Sequence, residues 1–84
     1  MTRLLNHPRQ IAVKTNDLGE PVTIHRGNGR ERVVSTGRRW RVNENWWRQE
    51  VSREYFQIET AGGLVAEVYH DMLSGLWYLH RIYD

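Results

Sequence analysis

An 84-residue chain with no cysteine and nine aromatics, four of them Trp, makes one domain (residues 1–84) and excludes a disulfide framework or a thiolate metal site. No segment approaches the roughly 18 to 20 apolar residues of a membrane span, and the first residues lack a signal peptide's apolar run, so a cytoplasmic protein with no membrane partner is expected. The net charge of +2 is unevenly spread: residues 1–53 hold eleven cations against five acids, residues 54–84 one cation against five acids. Arg outnumbers Lys eleven to one, which suits bidentate pairing with carboxylate or phosphate and stacking on aromatic rings. Two readings follow: the halves pair with one another, or the first half presents a phosphate-binding face.

Along the chain, Met1 to Pro8 carries no sustained pattern and reads as a loosely ordered start. Gln10–Lys14 alternates through Ile11 and Val13 as a first strand, and Asn16, Asp17, Gly19 and Pro21 then punctuate it. Val22 and Ile24 resume a period of two, Gly27-Asn28-Gly29 breaks it, and Arg32, Val33 and Val34 restart it. A two-residue turn at Asn28-Gly29 would set Arg26 opposite Glu31 and Ile24 opposite Val33. Ser35–Arg38 reads as another turn around Gly37, followed by a short strand over Arg39–Val42. Asn43–Ser52 has room for at most one short helical turn, with Glu44 and Arg48 four apart and Trp47 and Val51 on one face.

From Arg53 the pattern sharpens. Phe56 and Ile58 alternate with Tyr55, Gln57 and Glu59, and Ala61-Gly62-Gly63 forms a turn. A two-residue loop would oppose Ile58 to Glu67; a three-residue loop opposes Ile58 to Ala66 and Phe56 to Val68, and matched burial selects the second. Its other face pairs Tyr55 with Tyr69 and Gln57 with Glu67. A four-residue loop, Met72 to Gly75, then sets Val68 opposite Leu79, His70 opposite Trp77, Tyr69 beside Tyr78 and Glu67 beside His80. One face therefore carries Phe56, Ile58, Leu64, Ala66, Val68, Trp77 and Leu79, the other the row Tyr55, Tyr69, Tyr78. The expected fold is all-β: a small antiparallel meander or partly open barrel of five to six strands.

Little here specifies a reaction. Glu67 beside His80 is the nearest thing to an acid–base pair, but the register sets no Ser, Thr or Cys nucleophile next to it, and a surface cross-strand pair is the simpler reading. A metal site from His70, Asp71, His80 and Asp84 is disfavoured because His70 and His80 fall on opposite faces; no metal or cofactor is expected. Gly27-Asn28-Gly29 lacks the helix and third glycine of a phosphate loop. The richest segment is RRWRVNENWWR, where Arg38, Arg39, Arg41 and Arg48 interleave with Trp40, Trp46 and Trp47. Guanidinium contacts phosphate while indole stacks on bases, at about 1 to 3 kcal/mol per base. The competing reading is that these tryptophans build the core and the arginine stems pack over them.

Trp40-Arg41-Val42, Trp46-Trp47-Arg48, Arg53-Glu54-Tyr55-Phe56, Gly62-Gly63-Leu64, Tyr69-His70-Asp71, Gly75, Trp77-Tyr78-Leu79 and Tyr83-Asp84 together resemble an uncharacterised small bacterial domain family. That family occurs alone and, in related form, at the C-terminal end of the inactive Y-family DNA polymerase homologue of the mutasome. The resemblance covers roughly residues 20–84. It implies an accessory or partner-binding role at damaged DNA and supplies no catalytic residues. The expectation is a non-enzymatic module that binds nucleic acid or a DNA repair or replication partner through Arg38, Arg39, Trp40, Arg41, Trp46, Trp47 and Arg48. The alternative is a protein-interaction or self-association module using a sheet edge or the face of Tyr55, Tyr69 and Tyr78.

Overall fold

The computed structural model of the chain describes the backbone of residues 2–27, 29–46 and 49–83, and the side chains of 7–27, 29–45 and 50–83. The protein is all-β, with strands β1 (Thr2–Thr15), β2 (Pro21–Arg26), β3 (Gly29–Trp46), β4 (Gln49–Thr60), β5 (Val65–Asp71) and β6 (Trp77–Tyr83). Each strand pairs antiparallel with the next, and β1 also pairs with β6, so the meander closes into a ring.

The second half forms in the register that matched burial selects. Ile58 faces Ala66, Phe56 faces Val68 and Tyr55 faces Tyr69 across β4 and β5. Val68 faces Leu79, Tyr69 faces Tyr78 and His70 faces Trp77 across β5 and β6. Gly63 at φ 90° and Gly75 at φ 79° take the left-handed positions that the two loops require. Asp71 Oδ1 steadies the second loop by accepting from the Leu73 and Ser74 amides.

The core is one cluster on the inner face: Ile11, Ile24, Phe56, Ile58, Ala66, Val68, Trp77 and Leu79, with Val13, Val33, Leu64 and Ile82 packed against it. One bulge makes this possible in β6. Val68 opposes Leu79 but Glu67 opposes Arg81, leaving His80 as the extra residue. Strict alternation would send Arg81 inward and Ile82 outward; the bulge lets both Leu79 and Ile82 face the core. The expected ladder pairing of Glu67 with His80 is corrected accordingly, although the side chains still meet.

Three further expectations are revised. Across β2 and β3, Arg26 pairs with Gly29 and Ile24 with Glu31, so the chain reverses between Arg26 and Gly29, two residues out of the expected register. Gly27 at φ 58° supplies the left-handed start of that turn; Asn28 itself lies outside the described residues. A slip of two preserves the inward and outward faces, so alternation does not separate the two registers. The Arg26–Glu31 charge pair survives as a diagonal contact of 3.6 Å.

Ser35–Arg38 is not a turn but a bulged stretch inside β3, with register shifts between Val33 and Ser35 and between Thr36 and Arg39. The two extra residues let Val33, Thr36 and Arg39 oppose Thr60, Ile58 and Phe56 in turn, which coils the strand around the core. Asn43–Ser52 adopts no helical turn among its described residues: Asn43 pairs with Ser52, Glu44 with Val51 and Trp46 with Gln49. The expected Glu44–Arg48 and Trp47–Val51 contacts each involve a residue, Arg48 or Trp47, that lies outside the described residues. At the other end β1 is paired from Thr2, since Thr2, Arg3 and Leu4 oppose Tyr83, Ile82 and Arg81.

The ring has one narrow place. β2 is six residues long and joins β1 only over Ala12–Thr15 and β3 only over Gly29–Arg32. Beyond it, among the described residues, β1 and β3 make no contact and no backbone hydrogen bond reaches the side of β3 from Ser35 to Asn43 that faces away from β4.

Candidate functional site

The expected Arg and Trp cluster is split by the alternation of β3. Trp40 opposes Tyr55 and lies on the outer face; Arg39 and Arg41 oppose Phe56 and Glu54 and lie on the inner one, at the ring's mouth. Both inner arginines converge on one carboxylate: Arg39 Nη2 is 3.0 Å and Arg41 Nη2 3.7 Å from Glu54 Oε2. Arg39 Nε also donates to that oxygen at 3.0 Å, and its Nη2 to the Leu18 carbonyl at 3.5 Å. The Arg39 guanidinium stands 5.1 Å from the Phe56 ring centre. Two cations sharing one anion keep one unit of positive charge at this mouth. The Trp46 side chain, Trp47 and Arg48 lie outside the described residues.

On the outer face, Trp40, Tyr55, Tyr69 and Tyr78 run in a single aromatic row across β3, β4, β5 and β6, with successive ring centres 5.2, 5.1 and 5.1 Å apart. The chain covers this row itself. Arg38 lies 4.8 Å over Trp40, and Arg53 lies 4.6 Å over Tyr69 while donating to the Tyr55 hydroxyl at 3.3 Å. The His80 ring meets Tyr55 and Tyr69 in T-shaped contacts, with planes 71° and 76° apart. Tyr55 and Tyr69 are consequently only 8% and 3% exposed, so a partner on this face would meet mainly Trp40, Tyr78 and the arginines. The hydrogen bond to Tyr55 raises the Arg53 pKa, and burial raises that of Tyr69.

Next to the row sits a polar cluster. Glu67, 6% exposed, accepts from the Tyr83 hydroxyl at 2.6 Å, and His80 Nε2 stands 3.8 Å from its other oxygen. Burial lowers the His80 pKa, with Glu67 opposing, and the bond to Glu67 raises that of Tyr83. The carboxylate is thus held by a phenol, and the imidazole is packed between tyrosines. His70, by contrast, stacks on Trp77 at 4.5 Å on the inner face. Among the described residues no three His, Asp or Glu side chains gather as a metal site.

A second group of cations without a carboxylate partner among the described residues lies on another part of the sheet. On the outer face of β1, β2 and β3, Lys14, Thr23 and Arg32 form one cross-strand row and Ala12, His25 and Arg30 the next. Lys14, His25, Arg30 and Arg32 are all exposed, no acid stands at these positions, and among the described residues no carboxylate comes within ion-pair distance of Lys14, Arg30 or Arg32. Sequence reasoning did not single out this patch. Its signal was the hairpin, whose period of two sends Arg30 and Arg32 to the same side as His25. No protein-family model, curated protein or solved structure matches the chain.

Proposed function

We propose that this protein is a cytoplasmic, non-enzymatic module that binds nucleic acid through its phosphates. The observation that carries the reading is the exposed, acid-free patch of Lys14, Arg30, Arg32 and His25 on the outer face of β1, β2 and β3. Neighbouring strands are about 4.8 Å apart and alternate residues about 6.8 Å apart along a strand, so these long side chains sample a surface wide enough for several phosphates. Arg38, beside Trp40, extends the cationic character along β3. A DNA repair accessory role draws its support from the resemblance in the spaced aromatics and glycines. A non-enzymatic role draws its support from the engagement of Glu67 by Tyr83 and the packing of His80 between rings.

The test is a titration of labelled single- and double-stranded oligonucleotides at several salt concentrations. Binding should appear at low salt and weaken linearly on a log–log plot, with a slope of about −0.7 per phosphate for single strands and about −0.9 for duplex. Absence of binding at low salt would overturn the reading.

A further inference from the structure

The geometry points to a second binding element, independent of the outer cationic patch: the unpaired edge of β3 from Ser35 to Asn43 is a docking edge for an extended acidic peptide segment of a partner protein. Among the described residues β3 is bonded to β2 only over Gly29–Arg32 and β1 does not touch it, so a run of backbone donors and acceptors faces the split in the ring. Exposed edges of this kind accept an added strand, the backbone supplying affinity and alternate side chains supplying specificity.

The side chains along the edge define the occupant. Between Ser35 and Asn43 the strand carries Arg38, Arg39 and Arg41 and no acid. Arg39 and Arg41 stand two residues apart on one face and share the single carboxylate of Glu54, with side chains 40% and 53% exposed. Acidic residues spaced by two on an added strand would lie beside this pair and complete its neutralisation. The intervening residue would lie on the other face, beside Trp40 and Arg38, where an apolar side chain fits. A second copy of the chain pairing edge to edge would bring like arginines together, which disfavours a two-fold β3 dimer.

The probe is a blocked seven-residue peptide alternating Val and Glu, compared with its Val and Lys counterpart and with a version carrying a central Pro. Binding is followed by backbone amide NMR shifts and by amide hydrogen exchange of the intact protein. The Glu peptide should bind and protect amides within Ser35–Asn43, the Lys peptide should bind at least tenfold more weakly, and the Pro version should lose the protection because it lacks a ladder donor. Arg39→Gln with Arg41→Gln should weaken the Glu peptide at least tenfold, and Lys14→Gln with Arg32→Gln should not. No binding of the Glu peptide at millimolar concentration, equal binding of the Pro version, or shifts centred on Lys14, Arg30 and Arg32 would overturn the proposal. The peptide controls decide it even if the double variant fails to fold, and oligonucleotide binding is read separately.

Discussion

The Trp40 indole and the Tyr55 ring lie 5.2 Å apart between centres with planes only 6° from parallel, the first step of an aromatic row that four successive strands share. Such pairs contribute about 0.5–1.5 kcal/mol beyond the area they bury. Trp40→Ala should therefore lower unfolding free energy by more than that, and Arg38→Ala by less. Urea denaturation of the two variants compares them; equal losses would mean that the stack contributes nothing of its own.

The inner face should be more sensitive. Phe56 is completely buried and packs on Trp77 with ring centres 5.5 Å apart. Phe56→Ala is expected to cost about 3–5 kcal/mol, a large fraction of what a domain of this size has to lose. A midpoint in denaturant within experimental error of the parent would contradict the assignment of this face as the core.

Two glycines should respond with opposite sign. Gly63 has φ 90°, so Gly63→Ala forces an L residue into the left-handed region, at a cost of about 1–2 kcal/mol. Gly37, in the bulged stretch of β3, has no such φ, and a Cβ there would meet nothing nearer than the Gln57 carbonyl at 3.9 Å. Gly37→Ala should be neutral or stabilising by up to about 1 kcal/mol, through the lost freedom of the unfolded chain. Thermal unfolding of both settles the contrast.

His80 sets an acid limit on stability. Its folded pKa is depressed, chiefly by burial, below the ordinary value of 6.5. The unfolded chain therefore binds the proton first as pH falls, so the contribution is fully present above pH 6.5 and is lost as pH drops through the lower folded value. Tyr83 acts at the alkaline side: its pKa is raised from 10.0 by the bond to Glu67, so its contribution holds below pH 10 and fades as pH rises through the folded value. Stability against pH for His80→Gln and Tyr83→Phe should each lose the corresponding slope while keeping the other.

On the outer patch, Arg30→Gln and Arg32→Gln should each reduce the magnitude of the oligonucleotide salt slope by about 1 and weaken all sequences alike. A sequence-dependent loss would indicate base contacts instead.

How much of this was legible follows from where the punctuation falls. The β4, β5 and β6 register could be read because two glycine-bearing loops bound a short alternating run, leaving one arrangement that buried Phe56, Ile58, Val68 and Leu79 together. The turn at Gly27 could not, because the neighbouring register keeps the same faces. Gly37 carries turn chemistry, yet the strand continues through it, since a bulge uses the same residues as a turn. The bulge at His80 has no local signature at all; it appears only when Ile82 must reach the core. The candidate site was obscured by the same gap. That Arg39 and Arg41 would share Glu54 depends on the pairing of β3 with β4, across two bulges, and the cross-strand grouping of Lys14, Arg30 and Arg32 depends on the ladders of β1, β2 and β3.

Closure of the ring also bears on how fast the chain reaches it. Five of the six ladders join strands adjacent in sequence, each across a short connection, whereas the pairing of Ile11 with Trp77 ties together residues from opposite ends of the chain. By loop-closure entropy such a contact costs about 2.5 kcal/mol more to form from the open chain than a four-residue turn does. The β3 to β6 hairpins can thus assemble as local units, while docking of the first strand onto the last sets the pace, so that weakening Ile11 should slow folding and leave the early hairpins intact.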